Sequence, residues 1–264
     1  MSYANFRADP RSQRSAELVV ASARKCYAGV GRTVCALDEV SFEVAQGEVC
    51  LIIGTNGSGK STLLQAVAGR LALDRGSITL DKRHVASIKR PVLGRLRGML
   101  YQQPLRNLCA EFSIAEMVAL YGDGLDDASF SELFLSLERI GVGRDRIVNT
   151  LSGGQQQIVA LELVLARRPN LILLDEPTAA LDVENAALVR NRVVDAASMG
   201  VSVMFVSHDI DEALALADKL IFLHCGRLIK QWYGPELSAL TADELRDFVR
   251  ATAGGPMSAA AATE

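Results

Sequence analysis

The segment Val49-Cys50-Leu51-Ile52-Ile53-Gly54-Thr55-Asn56-Gly57-Ser58-Gly59-Lys60-Ser61-Thr62 joins an apolar run to a glycine-rich loop. The apolar half reads as a buried strand. Leu63-Leu64-Gln65-Ala66-Val67-Ala68, just after it, reads as a helix. Strand, loop and helix are the context in which the spacing G-x-x-x-x-G-K-[ST] holds a phosphate. Glycines tolerate φ > 0, so successive backbone N–H groups can point into one concavity. The helix start adds unpaired N–H groups and the positive end of its dipole. Lys60 supplies a mobile point charge for the outer phosphates, and the Ser61 hydroxyl suits Mg²⁺. The loop, from Gly54, Thr55, Asn56, Gly57, Ser58 and Gly59 through Lys60, Ser61 and Thr62, is therefore the candidate nucleotide cradle. At average composition the four fixed positions match by chance in about one chain of this length in a hundred. A turn that binds nothing is the plainer reading, but it leaves interior glycines, each costing ~0.5–1 kcal/mol, without a purpose. The ligand expected is a nucleoside triphosphate.

The 264 residues are 49% hydrophobic, ample for a sizeable core in one large domain or two small ones. A net charge of −3 leaves no basic footprint for nucleic acid. The five cysteines, Cys26, Cys35, Cys50, Cys109 and Cys225, include no C-x-x-C pair. Their odd number and scattered positions predict reduced thiols, each buried and inert. No apolar run reaches the ~18–20 residues of a membrane span. The polar, Arg-dotted stretch before Ser15 does not read as a secretory signal. Any membrane connection is expected to come through a partner.

Along the chain, Glu17–Cys26 and the alternating Val40–Val44 are strand candidates around a turn at Tyr27–Gly31, forming a small antiparallel layer. From His84 to about Asn149 helix signals dominate, apart from a core strand at Gly98–Tyr101. Ser113-Ile114-Ala115-Glu116 is a capping box, and Ser129-Phe130-Ser131-Glu132 reads as another. Thereafter strands at Leu171, Val201 and Leu220 alternate with helices, the last capped at Thr241. That alternation implies a mostly parallel sheet flanked by helices, with right-handed crossovers bringing the strand-end motifs to one edge. There is no internal repeat. Only a short helix and tail are expected after Tyr233, with no C-terminal regulatory domain.

Leu171-Ile172-Leu173-Leu174-Asp175-Glu176 is an apolar strand ending in two carboxylates. Beside a phosphate loop, Asp175 would reach Mg²⁺. Glu176 would polarise an attacking water, work worth about 10²–10⁴-fold in rate. An acidic pair capping a helix before Pro177 is the plainer reading; the loop upstream outweighs it. His208 follows another apolar strand, where it can donate to a γ-phosphate or hold the water, or simply cap the next helix. Gln102 ends a strand, and its amide can ligate metal or water, although Gln before Pro is also ordinary turn composition. Leu151-Ser152-Gly153-Gly154-Gln155 is a second glycine loop opening a helix, hence a second anion site. Two phosphate-binding surfaces and one nucleotide per chain imply that the second surface serves the nucleotide of another copy.

With these residues in view, the chain closely resembles the ATPase subunits of ABC transporters, from Tyr27 to about Leu223. Gly54–Thr62 resembles their phosphate loop, Leu151–Gln155 their signature and Leu171–Glu176 their Mg²⁺ strand. Ala180-Leu181-Asp182 resembles the D-loop, His208 the switch histidine and Gln102 the Q-loop glutamine, with Gln103 ranked second. Tyr27 sits where the family has an aromatic that stacks on adenine. The resemblance implies an α/β fold with a P-loop NTPase (RecA-like) core, an antiparallel β subdomain and an inserted α-helical subdomain. The corresponding organisation is a flexible segment 1–16, an ATPase domain 17–250 with its helical insertion at about 87–160, and a disordered tail 251–264.

It also implies ATP and Mg²⁺ as ligands, with Lys60, Gln102, Glu176 and His208 catalytic and Ser61, Gln102 and Asp175 at the metal. Tyr27, the phosphate loop, Ser152, Gly153, Gly154, Gln155 and Asp182 would contact nucleotide. Two copies would meet head to tail as a homodimer, each ATP lying between one copy's Lys60 and the other's Ser152 and Gly154. Membrane-spanning permease subunits, and a substrate-binding protein for an importer, are the implied further partners. Nucleic acid is not among them. The implied location is peripheral, on the cytoplasmic face of the inner membrane.

One departure stands out. Where the family carries Arg soon after the signature glutamines, this chain has Ile158, with Glu162 further on. The run Tyr101–Leu105 and the tail Leu240–Val249 faintly resemble ATPases of aromatic amino-acid uptake. A soluble ABC ATPase acting on ribosomes or DNA fits less well, because this chain has one phosphate loop, one signature, no heptad run and an acidic balance. A non-hydrolysing, ATP-gated binding module is disfavoured by Glu176 and His208.

Overall fold

A computed structural model describes residues 16–29, 33–121 and 127–253. The chain opens with β1 (Ala16–Ala28), β2 (Thr33–Ala45), β3 (Val49–Gly54) and α1 (Lys60–Val67). Next come β4 (Arg75–Leu80), the short β5 (Arg83–His84), α2 (Arg90–Leu96) and β6 (Arg97–Leu100). Three helices follow: α3 (Ile114–Tyr121), α4 (Asp127–Arg139) and α5 (Gly153–Ala166). Then β7 (Leu171–Asp175), α6 (Val183–Ser198), β8 (Ser202–Val206), α7 (Ile210–Leu216) and β9 (Lys219–His224) alternate. The described chain closes with β10 (Arg227–Tyr233), α8 (Gly234–Ala239) and α9 (Ala242–Ala253).

The strands form two sheets, ordered β2-β1-β4-β5 and β10-β9-β3-β8-β7-β6. The first is antiparallel. The second is parallel except for β10 at its edge. Its central strands are apolar throughout because both faces are covered. Their period of two divides the core cleanly. Val49, Leu51 and Ile53 of β3 face one cluster with Ile172, Leu174, Val203, Phe205 and Phe222, together with α3–α6. Cys50 and Ile52 face the other, with Leu171, Leu173, Met204, Val206, α1 and the antiparallel sheet.

Local signals set the helix starts. Ser113 and Glu116 exchange capping bonds before α3, as Thr241 and Glu244 do before α9. The box read at Ser129–Glu132 is corrected: α4 begins at Asp127, so Ser129 lies inside the helix and is buried. Tyr27 and Ala28, read as turn, are strand residues paired with Val34 and Thr33; Gly29 follows the strand, and the last two residues of that turn, 30 and 31, lie outside the described residues. The segment expected to be flexible, 1–16, contributes Ala16 to β1, and the expected tail contributes Ala251–Ala253 to α9. The remainder of both lies outside the described residues.

The thiol expectation also needs correction. Antiparallel pairing sets Cys26 opposite Cys35, and the two form a disulfide. Cys109 is exposed and Cys225 partly so, leaving Cys50 as the buried thiol. Burial drives the Cys50 pKa far above its ordinary value.

The departures after the signature are resolved by packing. Ile158 is 3% exposed in the core, where an unpaired cation would be costly. Glu162, 4% exposed, receives two bonds from the Arg192 guanidinium of α6, one of them at 2.7 Å. The positive charge therefore comes from the neighbouring helix, and the pair braces α5 against α6. Arg192→Leu leaves a buried carboxylate alone and should cost about 3 kcal/mol in urea denaturation. The double variant Glu162→Leu/Arg192→Leu should recover most of that loss.

Candidate functional site

The phosphate loop leaves β3 at Gly54 and enters α1 at Lys60. Two glycines cannot be replaced. A Cβ on Gly54 would lie 2.2 Å from the Leu223 carbonyl oxygen on β9. At Gly59, φ is +102° and a Cβ would meet the Ala36 carbonyl oxygen at 2.1 Å. The loop is thus wedged between two backbones, and its shape depends on missing side chains. Lys60 curls into it, donating to the Gly54 and Thr55 carbonyls at 2.8 and 3.0 Å and reaching Ser58 Oγ at 3.5 Å. Burial lowers the Lys60 pKa, an effect opposed by the nearby Glu176 and Asp175 carboxylates. The loop's outer part, Asn56, Gly57 and Ser61, is exposed. The buried His224, unnoticed in the sequence, holds it from below through a 3.2 Å contact between Nδ1 and Thr55 Oγ1.

Register brings the other strand ends alongside. Ile52 pairs with Val206, and Val206 with Asp175, so β3, β8 and β7 end in one row. Asp175 has a raised pKa, first from burial and then from Glu176, partly offset by Arg106 and Lys60. Arg106 is a neighbour that the sequence did not single out. Glu176 takes φ +48°, a left-handed backbone costing roughly 1–2 kcal/mol for a residue with a side chain. It accepts from Gln102 Nε2 at 3.3 Å, and the same oxygen lies 3.4 Å from His208 Nδ1. It is thus Gln102, not Gln103, that reaches the carboxylates. Buried Gln157 of α5 donates to the Tyr101 carbonyl at 3.2 Å and so fixes the residue before Gln102.

The signature is assembled elsewhere. Ser152 and Gln155 form a reciprocal capping box at the start of α5. Gly154 packs so tightly on Asn185 that a Cβ would sit 2.5 Å from its amide nitrogen. Asn185 in turn donates to Asp182, the cap of α6, at 2.8 Å from both backbone and side chain. These bonds hold the Asp182 carboxyl below its ordinary range. Signature and D-loop candidates therefore form one unit. Among the described residues neither Ser152 nor Gly153 is hydrogen-bonded to the phosphate loop of the same chain. Tyr27 stands apart at the end of β1, 45% exposed, with Lys25 Nζ 5.8 Å from its ring centre.

Ser61, Gln102 and Asp175 offer hard oxygen donors of the kind Mg²⁺ takes, and Asp175 is a half-buried carboxylate whose pKa stays raised despite Arg106 and Lys60 nearby. No cluster of three His, Cys, Asp or Glu residues suited to a metal occurs among the described residues, so a cation here would complete its shell with phosphate and water.

A glycine loop opening a helix beside an apolar strand that ends in carboxylates defines a nucleoside triphosphatase of the phosphate-loop class. A family model described as ABC transporter matches residues 37–179. The Fe(3+) ions import ATP-binding protein FbpC of Streptomyces coelicolor is 38% identical over 206 residues, 75% of this chain and 57% of its own length. The hemin import ATP-binding protein HmuV of Bradyrhizobium diazoefficiens is 34% identical over 225 residues, 80% of this chain and 81% of its own. The dimeric, ADP- and Pi-bound ATP-binding cassette MJ0796 superposes with a TM-score of 0.71 at 26% identity, covering 84% of this chain and all of that one. This chain belongs to the ABC transporter family, among its ATP-binding, ATP-hydrolysing subunits. The chain spans little more than half of FbpC but four-fifths of HmuV. Relatives named for Fe(3+) and hemin lend no support to the faint likeness to amino-acid uptake ATPases.

The raised Asp175 pKa has a signed consequence. Below the unfolded value of about 3.9 the acid is protonated in both states, so burial costs nothing extra. As pH rises through the raised folded value, ionisation favours the unfolded chain and stability is withdrawn. Asp175→Asn should therefore raise the nucleotide-free Tm at pH 7, and the gain should shrink as pH falls towards 4.

Proposed function

We propose that this chain powers uptake across a membrane by hydrolysing MgATP in a head-to-tail pair of copies. The observation that carries this reading is the separation of two half-sites within one chain. Lys60, Gln102, Asp175, Glu176 and His208 collect at the sheet edge, whereas Ser152 caps α5 and Gly154 packs on Asn185, which bonds the Asp182 cap of α6. Each half-site would be completed by the other copy, consistent with the dimeric MJ0796 cassette.

In that arrangement the loop N–H groups and Lys60 bind the phosphates, and Tyr27, exposed at the hairpin end, offers its ring to adenine. Ser61, Gln102 and Asp175 would hold Mg²⁺, which neutralises charge developing on the phosphates. Glu176 accepts a proton from the attacking water, and His208, touching the same carboxylate, keeps that water in line. Ser152, Gly153, Gly154, Gln155 and Asp182 face the partner's nucleotide.

No helix among the described residues is long and apolar enough to cross a membrane, so permease subunits would carry the cargo. The chain would sit peripherally on the cytoplasmic face of the inner membrane, with the helical insertion near Gln102 meeting the permease. Import, with a substrate-binding protein delivering cargo, is favoured by relatives named for Fe(3+), hemin and sulfate/thiosulfate import.

Lys60→Ala should abolish ATP binding and turnover, read by a fluorescent ATP analogue and phosphate release; normal turnover would refute the phosphate-loop role. Glu176→Gln should keep binding, lower turnover by about 10²–10⁴-fold, and elute as a dimer on gel filtration with ATP. A monomer under those conditions would count against the shared site.

A further inference from the structure

Glu212 belongs to none of the motifs above, yet its carboxylate is 3% exposed and lies behind the catalytic candidates. One oxygen, Oε2, accepts from Ser207 Oγ at 2.8 Å and from Thr178 Oγ1 at 3.0 Å. The other lies 3.8 Å from the Arg190 guanidinium of α6. Ser207 immediately precedes His208, and Thr178 follows Glu176 by two residues. A single carboxylate oxygen thus ties together the loops that end β8 and β7.

The Glu212 backbone is itself fixed, since Asp209 accepts from its N–H at 3.0 Å and from that of Asp211 at 2.9 Å. Ser207 Oγ also accepts from the Asp209 N–H at 3.0 Å. His208 is therefore bracketed by two neighbours, both bonded to Glu212. Packing does not do this alone. A cavity of about 300 Å³ lies against Glu176, His208 and Glu212, leaving room for either loop to relax. Glu176 also holds a left-handed backbone, which persists only where its surroundings over-determine it. Among its backbone restraints are the Glu176 N–H bond to the Val206 carbonyl at 3.0 Å, the Ala179 N–H bond to the Glu176 carbonyl at 3.3 Å and, two residues on, the Thr178–Glu212 bond.

We propose that Glu212 is a positioning residue for hydrolysis: through Ser207 and Thr178 it sets the contact between His208 and Glu176. Glu212 acts through these two hydroxyls, not as a catalytic group itself. This role rests on the ATPase reading above and names a further residue on which that reaction depends. Because both hydroxyls share one oxygen, removing either loosens the same clamp, and their effects overlap rather than add.

The test measures steady-state ATP turnover, ATP-analogue affinity and Tm for Thr178→Val, Ser207→Ala, their double variant, Glu212→Leu and Glu212→Gln, with Lys60→Ala as control. Thr178→Val should lower kcat about 10–100-fold, the scale of a small misplacement of reacting groups, with KM and analogue affinity within about twofold. The double variant should be no worse than Glu212→Leu, and Glu212→Gln, whose amide oxygen still accepts, should recover most of kcat. Wild-type turnover in Thr178→Val and Glu212→Leu, or kcat falling only in step with Tm and unrescued by Gln, would overturn the positioning role while leaving Lys60-dependent hydrolysis intact. Turnover indifferent to Lys60→Ala would instead overturn the ATPase reading, and this role with it.

Discussion

The sheet edge that carries the candidate site depends on parallel backbone pairing among β3, β8 and β7. Ile52, Val206 and Asp175 share one row, so the next residues of each strand emerge side by side. Since side chains alternate between faces, a one-residue slip would exchange the two core clusters and move Asp175 away from Lys60. The register is held by burial on both faces, where Leu51, Leu173 and Phe205 are wholly inaccessible. Hydrophobic packing therefore fixes the spacing of charged groups that could not arrange themselves.

Electrostatically, the edge is costly to build and useful for that reason. Burial lowers the Lys60 pKa and raises that of Asp175, each moving towards its neutral form. The two soften each other's penalty, and Arg106 helps Asp175. A polyanion with a divalent cation would supply the charges that both lack. The strained Glu176 belongs to the same pattern, a local cost maintained by a well-packed surrounding.

What was legible in the sequence was encoded locally. The strand, glycine loop and helix around Gly54–Thr62, the apolar β7, and the caps at Ser113 and Thr241 each depend on residues within a few positions of one another. What was missed depends on partners far along the chain. The Cys26–Cys35 bond is a consequence of strand register, and the charge that answers Glu162 comes from 30 residues downstream. Thr178 and Glu212 are 34 residues apart. β10 went unread because this edge strand is half-buried along most of its length and shows no clean alternation. The false box at Ser129 had the right composition at a position enclosed by tertiary packing.

The cross-brace between α5 and α6 has a mechanical consequence. The helices are pinned twice: at their starts by Gly154 against Asn185, and further along by Glu162 with Arg192. Two fasteners on a pair of rods remove the freedom to pivot about either one. The tips bearing Ser152 and Asp182 therefore shift as a single lever, and a push on one is delivered to the other without lost motion.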